Sequence, residues 1–527
     1  MTSSGTRMVR HSMRMMAGTS LSRVLGLVRE VVTAAIFGAT RQMDAFLVAY
    51  TLANLSRRLL AEGALSAAFV PEFSRVLESG GRREASELAR QTLTVLLVAA
   101  GSVTLFGMLA APMLVRIMAP GFDTEGMSTA VTLTRLMFPF LILISVAALA
   151  MGVLNSLDCF FIPAIAPALS NVVYIALLAI VALRWGIWSL GYAVLLGGLA
   201  QMILQWIWAA RLGMPLLPSV PRRDNAALAR SMKLFLPYAA GLSLNQLVPL
   251  VSRMLGSFLD EGAISVLNYA DRVLQLPLGL FVIAISQAIL PILSKQVLAG
   301  EEEFALGVRD AMRFGMFIVL PVTLGMAMFS GEVVHLLFFR GAFGEWAWRG
   351  TAGALAMFSV GLPGMACSTI LLRALYARGM PREAMMVTGF SVVSYVAFSL
   401  VLLRPMEING LALASSLSFT GTAFVAWRLL KTGTEEGIFA PVWSVPAAAG
   451  LLSMGILLAL FKTLFVYPVQ GGIMVRSLWM LLPVVFGAAV YGFVTWKAGS
   501  PEWEWIREAV RGKGRESEKP KSVNGKR

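Results

Sequence analysis

The sequence predicts an all-α polytopic membrane protein of about fourteen transmembrane helices, arranged as two six-helix lobes related by pseudo-twofold symmetry plus two C-terminal helices. Three observations predict it. Of the 527 residues, 57% are hydrophobic and only 14% charged, where a soluble chain carries roughly 25% charged residues. The apolar residues are gathered into continuous stretches of the ~20 residues that a helix needs to cross a bilayer, not into the short alternating segments of a membrane barrel. Short motifs also recur at similar offsets between the two halves of the chain.

In chain order the expected spans are 13–37, 43–70, 88–118, 127–154, 162–183, 187–211, 228–259, 263–293, 304–329, 346–376, 384–403, 408–430, 438–464 and 473–496. Arg7, Arg10 and Arg14 precede the first apolar run in the manner of a signal peptide. Arg23 interrupts that run, however, and no small-residue cleavage site follows, so a retained first helix is expected.

The formal charge of +15 does not point to nucleic acid. The cations cluster between spans: Arg75, Arg82, Arg83 and Arg90; then Arg211, Arg222, Arg223, Arg230 and Lys233; then Arg373, Arg378 and Arg382; then Arg428 and Lys431; and the tail from Lys497 to Arg527. Phospholipid headgroups are the expected counter-charge. Alternate loops carry Asp123 and Glu125, or Asp260 and Glu261, without Lys or Arg. Positive loops face the cytoplasm, so both termini are expected there, in agreement with an even number of spans. Cys159 and Cys367, the two cysteines, lie in apolar surroundings and imply no disulfide framework, while His11 and His335 are too far apart to suggest a metal site. No metal and no cofactor is expected.

The repeat is weak but consistent. AFVPEFSRVL, residues 68–77, is matched by AILPILSKQVL, residues 288–298, so that Pro71 pairs with Pro291 and Ser74–Arg75 with Ser294–Lys295. SRVLG at Ser22 returns as SRMLG at Ser252, and Pro139 and Pro363 hold a similar offset. Six helices per copy leave both copies in the same orientation, with their axis along the membrane normal. The expected organisation is an N-terminal lobe over 1–215, a C-terminal lobe over 216–432, two additional helices over 433–498, and a basic cytoplasmic tail over 499–527, in which Trp503 and Trp505 read as interfacial anchors.

Against this apolar background the charged residues stand out. SRVLGLVRE, residues 22–30, puts Arg23, Arg29 and Glu30 in the first span; Asp44 opens the second, and NLSRRLLAEG, residues 54–63, adds Asn54, Arg57, Arg58 and Glu62. NYADRVLQLP, residues 268–277, places Asp271, Arg272 and Gln275 in the eighth. A charge at the bilayer centre costs about 2.5–3.5 kcal/mol even on the lenient insertion scale, and such residues face a bundle interior or an aqueous cavity. Asn54, Arg58 and Glu62 fall on one helical stripe, and Arg23 and Glu30 lie nearly in register. Arg58 with Glu62, and Asp271 beside Arg272, also read as neutralised pairs that fix packing; Arg253 has no evident partner and reads equally as an interface residue. For Arg23, Arg29 and Arg57 the nearby acids are too few. An arginine cluster of this kind suits phosphate, because the guanidinium fork donates bidentate bonds and keeps its charge when desolvated. No GxxxxGK[ST] loop and no nucleophile constellation is present, so transport driven by a gradient or by the membrane potential is expected rather than ATP-driven or enzymatic chemistry.

At these motifs, together with IFGATRQMDAF (36–46), NLSRRLLAEGALSAAFVP (54–71), APGF (119–122), FPFLILIS (138–145) and NYADRVLQLPLG (268–279), the chain resembles the MurJ, or MviN, lipid II flippase family of the multidrug/oligosaccharidyl-lipid/polysaccharide exporter superfamily. The resemblance covers nearly the whole chain. It implies lipid II, the undecaprenyl-diphosphate-linked peptidoglycan precursor, as substrate, moved by alternating access across the bacterial inner membrane by a monomer that meets the cell-wall synthesis machinery. It implies that Arg23, Arg29, Arg57 and Arg272 bind the diphosphate headgroup, that Glu30, Asp44, Asn54, Arg58, Glu62, Asp271 and Gln275 support or gate it, and that the two additional helices line a groove for the lipid tail. Glu30 stands where the family often has Asp, and Gln275 where it often has Glu. The eleventh span has neither Asp nor Asn, so no sodium site is expected. A related exporter of another polyprenyl-linked oligosaccharide or of amphiphilic drugs is the alternative.

Overall fold

The computed structural model describes residues 21–57, 65–222, 225–243, 246–430 and 445–510. Their regular structure is helical throughout. The first stretch holds α1 (21–37), α2 (Arg41–Arg57), α3 (Leu65–Ser79), α4 (Gly81–Leu109), α5 (Ala111–Met118), α6 (Thr124–Met137), α7 (Phe140–Ser156), α8 (Phe161–Trp185) and α9 (Trp188–Arg211). Next come α10 (Ala226–Ser243), α11 (Leu247–Gly256) and α12 (Ala263–Pro277), which passes through a π turn at Leu278–Val282 into α13 (Ile283–Ala299). The remainder are α14 (Glu301–Met328), α15 (Ser330–Phe338), α16 (Glu345–Val360), α17 (Leu362–Ala377), α18 (Pro381–Leu430), α19 (Val445–Leu464), α20 (Ile473–Lys497) and α21 (Glu502–Val510).

Several expected spans are built from two pieces, and the breaks have identifiable causes. The third turns into α5 at Ala110, with Pro112 in the first turn of α5, where the missing N–H does no harm. The fourth is divided at Phe138–Pro139. The tenth bends by 44° between α16 and α17, at Gly361 just before Pro363. α18 carries two expected spans in one run, broken at Glu407, whose φ of 48° is non-helical, two residues after Pro405; the sequence separates 384–403 from 408–430 at this place. Among the described residues nine helices are long and apolar enough to cross a membrane, or ten with the bent α16–α17 pair. With α18 carrying two expected spans, and α1, α2, α3, α10 and α11 lying in three more, the described helices are consistent with fourteen.

The series from α4 to α7 has lengths of 29, 8, 14 and 17 residues, and that from α14 to α17 has 28, 9, 16 and 16. Their starts are 220 residues apart, at Gly81 and Glu301, the offset that separates Pro71 from Pro291.

The chain divides into two compact units. The first comprises Met1–Arg272, Leu337–Ala354 and Val392–Ala414. Within it α8 and α9 lie close together because Gly197 meets Ser170: a Cβ on Gly197 would fall 2.7 Å from the Ser170 hydroxyl, the small-residue contact that lets membrane helices approach where lipid offers no hydrophobic drive. α7 packs across the same pair, with Phe140, Leu141, Ile144 and Leu149 buried.

The second unit comprises Val273–Leu336, Leu355–Ser391 and Ser415–Arg527. Its centre is a cluster of Phe317, Phe329, Met454, Leu458 and Tyr491, where α14 meets α19 and α20. The Tyr491 hydroxyl donates to the carbonyl of Phe317 at 2.9 Å. α21 closes over this cluster. Glu502 accepts from Arg313 Nε at 2.5 Å and from the Ser500 hydroxyl, and Trp503 donates to Thr495 Oγ1 at 3.0 Å with its ring edge-on to Phe317. Trp503, expected as an interfacial anchor, is part-buried against this cluster.

Candidate functional site: a charged cavity on α1, α8 and α12

α1 is helical because nothing between residues 21 and 37 interrupts it, and its two faces differ. Val24 and Val28, one turn apart, are 60% and 41% exposed, the apolar face that lipid would cover. Glu30, Thr33 and Ala34 are buried on the opposite side. Glu30 is therefore turned inward by the helical period itself.

Around Glu30 the structure assembles a charge network. Arg29 Nη2 donates to Glu30 Oε1 at 2.9 Å, and Arg272 Nε from α12 stands 3.6 Å from the same oxygen. Arg29 is also held by α8: Nη1 donates to Asn171 Oδ1 at 3.2 Å, and the guanidinium lies 5.2 Å from the centre of the Tyr174 ring. Asn171 is anchored in turn by its Nδ2, which donates to the Ser22 carbonyl at 3.3 Å. The Tyr174 hydroxyl is 3.5 Å from that of Thr33. On the α12 side, Arg253 of α11 donates to the Ile264 carbonyl at 3.0 Å and to Asn268 Oδ1 at 2.8 Å.

Arg29, Glu30, Thr33, Tyr50, Tyr174, Asn268 and Arg272 line a part-open cavity, whose remaining wall is apolar: Met43, Phe46 and Leu47 of α2 and Val194 of α9. Two arginines sharing one carboxylate leave a net positive charge on the wall. Partial burial in a low-dielectric setting makes that charge attract an anion more strongly than an exposed cluster would, and the planar forks suit phosphoryl oxygens.

About 12 Å further along α1, at 1.5 Å per residue, the helix ends in a backbone seam. Gly38 has φ +62°, and a Cβ there would collide with the Ala342 carbonyl; Gly341 has φ +59° and abuts the Ala35 carbonyl. Ala342 N donates to that carbonyl at 2.8 Å, and Tyr269 Oη donates to the Gly38 carbonyl at 3.1 Å. Asp44 sits in the seam, buried, accepting from Gly262 N at 2.8 Å, Ser265 N at 2.7 Å and Ser265 Oγ at 2.6 Å. Its carboxylate thereby satisfies donors at the N-terminus of α12, where a negative charge also meets the positive end of the helix dipole.

Of the residues expected at the site, the structure brings Arg29, Glu30 and Arg272 together at the cavity and places Asp44 in the seam. Arg23 is exposed, two turns back along α1. Asn54 lies on α2, ten residues beyond Asp44, while Asp271 is half-buried and Gln275 exposed on α12. The side chain of Arg57, and all of Arg58 and Glu62, lie outside the described residues, as do Arg7, Arg10, Arg14 and the tail beyond Val510. Sequence reasoning did not single out Asn171, Tyr174 or Asn268. The signal that could have found the first is an amide inside an otherwise apolar span, where polar groups are expensive.

The family described as "Lipid II flippase MurJ" matches residues 33–482. A Rhizobium tropici protein named "Probable lipid II flippase MurJ" is 30% identical over 524 residues, covering 96% of this chain and 97% of that protein. The "Lipid II flippase MurJ" of Burkholderia cenocepacia is 35% identical over 368 residues, 68% of this chain and 71% of the other. Among solved structures, "Lipid II flippase MurJ, inward closed conformation" superposes with a TM-score of 0.77 at 22% identity, covering 94% of this chain and 99% of that one. An inward-facing multidrug resistance MATE family transporter of the MOP superfamily gives 0.67 at 18% identity, covering 81% and 97%. At these identities the superpositions establish the shared fold.

Proposed function

The chain belongs to the lipid II flippase MurJ family, and from that premise we propose that it carries lipid II from the cytoplasmic to the periplasmic leaflet of the bacterial inner membrane by alternating access, as a transporter and not an enzyme. The observation that carries this reading is one buried carboxylate, Glu30, shared by Arg29 and Arg272 on the wall of a cavity. In the empty protein Glu30 offsets part of the arginine charge, which limits the cost of holding two cations in the membrane. An arriving diphosphate offers oxygens to both guanidinium forks and takes over that neutralisation. Arg23 and Arg57 complete the headgroup contacts, and Asn54, Arg58, Glu62, Asp271 and Gln275 support them.

The seam at Gly38, Gly262 and Gly341 is the closed end of the transport path, with Asp44 as its gate residue; opening it while the other end closes releases the headgroup outward. An anion leaving a negative-inside cytoplasm gains about 2.3 kcal/mol per charge per 100 mV, so the membrane potential drives the net movement. The lobes are 1–215 and 216–432, supported by the matching series α4–α7 and α14–α17; the helices of 433–498 line the groove for the lipid tail, and both termini, with the tail 499–527, are cytoplasmic.

The test is replacement of the resident flippase in a depletable strain, with accessibility of lipid II at the outer leaflet as readout. The wild-type chain restores growth and flipping; Arg29→Ala and Arg272→Ala, present in the membrane at equal amount, do not. Normal flipping by both variants overturns the site, and failure of the wild-type chain favours an exporter of another polyprenyl-linked oligosaccharide.

A further inference from the structure

Arg253 and Asn268 form a unit that the reading above leaves unused. Asn268 is buried, at 6% exposure, and lines the cavity one turn before Arg272 on α12, so the two side chains share a face. Its amide has one possible orientation. Arg253 has only donors, and Nη2 lies 2.8 Å from the amide, so the atom facing it must be the acceptor Oδ1. Nδ2 consequently points away from Arg253 and has no acceptor among the described residues; Arg272 Nε likewise donates no hydrogen bond among them. Arg253 itself is fixed by its second bond, to the Ile264 carbonyl, and cannot rotate to release the amide without losing it.

We propose that Asn268 is a further headgroup-contact residue, donating Nδ2–H to an oxygen of the anionic ligand beside Arg272, and that Arg253 is the positioning residue that holds this donor toward the cavity. The inference rests on the flippase reading for the identity of the ligand. A neutral donor next to a cation adds direction without adding charge, and selects for an acceptor oxygen next to the anionic group. That oxygen belongs either to the diphosphate or to the first sugar, and the two sources are separable.

The experiment measures binding of purified full-length protein to lipid II and to undecaprenyl diphosphate in detergent, for wild type, Asn268→Asp, Asn268→Leu, Arg253→Lys and Arg272→Ala, with melting temperature recorded for each. Asn268→Asp keeps an acceptor for Arg253 and replaces the donor by a negative oxygen. It is expected to weaken lipid II binding by at least about tenfold, which is about 1.4 kcal/mol, while its melting temperature is maintained. Loss for both ligands assigns the contact to the diphosphate; loss for lipid II alone assigns it to the sugar. Arg253→Lys keeps the charge but loses the fork, and its affinity falls less than that of Asn268→Asp. If Asn268→Asp does not fold, Asn268→Leu is judged by the same threshold. Wild-type affinity in the folded Asn268 variants, with Arg272→Ala still impaired, overturns the inference and leaves the flippase site standing. Wild-type affinity in Arg272→Ala overturns the site reading itself.

Discussion

Two of the buried glutamates among the described residues, both paired with arginine, are set in opposite ways. Glu502 is 1% exposed, accepts from Arg313 and from Ser500, and is roofed by Trp503 on Phe317 and Thr495. Its surroundings are complete. Glu30 is 8% exposed, shares one oxygen between Arg29 and Arg272, and stands beside a cavity where Asn268 Nδ2 and Arg272 Nε make no hydrogen bond among the described residues. A buried charge with every bond made fixes a fold. A buried charge whose neighbours still have capacity is placed to exchange one partner for another.

That contrast can be broken by substitution, and the largest effect belongs to the complete site. Glu502→Ala removes the buried carboxylate paired with Arg313, the kind of change that costs about 3–5 kcal/mol. A thermal melt in detergent should show a fall of several degrees, with flipping per folded molecule unchanged; lost flipping at an unaltered melting temperature would erase the distinction. Glu30→Gln is the mirror experiment. Arg29 keeps Asn171 and Tyr174 and the cavity is part-open, so the melting temperature should move less than half as far. Flipping should fall by about 10- to 100-fold, the worth of a charge-assisted bond of roughly 1.5–3 kcal/mol.

The seam comes next. Gly341→Ala imposes φ +59° on a residue with a Cβ that would also strike the Ala35 carbonyl, a strain of about 1–3 kcal/mol. Hydrogen exchange of the Ala342 amide, which donates to the Ala35 carbonyl, should quicken as the seam loosens; no change would mean that the backbone contact is not needed to hold it. The smallest effect is predicted for Arg349→Ala. Arg349 and Glu345 form an i, i+4 pair with both side chains exposed, and such pairs contribute about 0.5 kcal/mol or less. A melting temperature displaced by more than the error of the measurement would show that the exposed pair does more than the comparison allows.

How much of this was legible in the sequence depended on the kind of signal. Span positions were legible because the bilayer imposes a length and an apolar composition on each, and even the break in α18 fell between two expected spans. The short helices α5 and α15 were not: α5 continues the apolar run of the third span, where hydropathy does not register a change of direction, and α15 falls between two expected spans. Arg29, Glu30 and Arg272 could be read as candidates from charge alone. Asn171, Tyr174 and Asn268 could not, since their contribution is geometric: each matters through what it holds, Arg29 in one case and a cavity-facing amide in the other. The role of Arg253 was hidden for the same reason, its partner lying on the next helix, fifteen residues on.

α12 carries Ser265, bonded to Asp44 in the seam, and Arg272, at the cavity, seven residues apart on one unbroken helix. A helix of two turns is stiff along its length, about 10 Å here. A push at one end therefore arrives at the other with little slack. Occupancy of the cavity and closure of the seam are in this sense readings at two points on the same rod. A spectroscopic label near Ser265 would then report, from a distance, the arrival of a ligand it never touches.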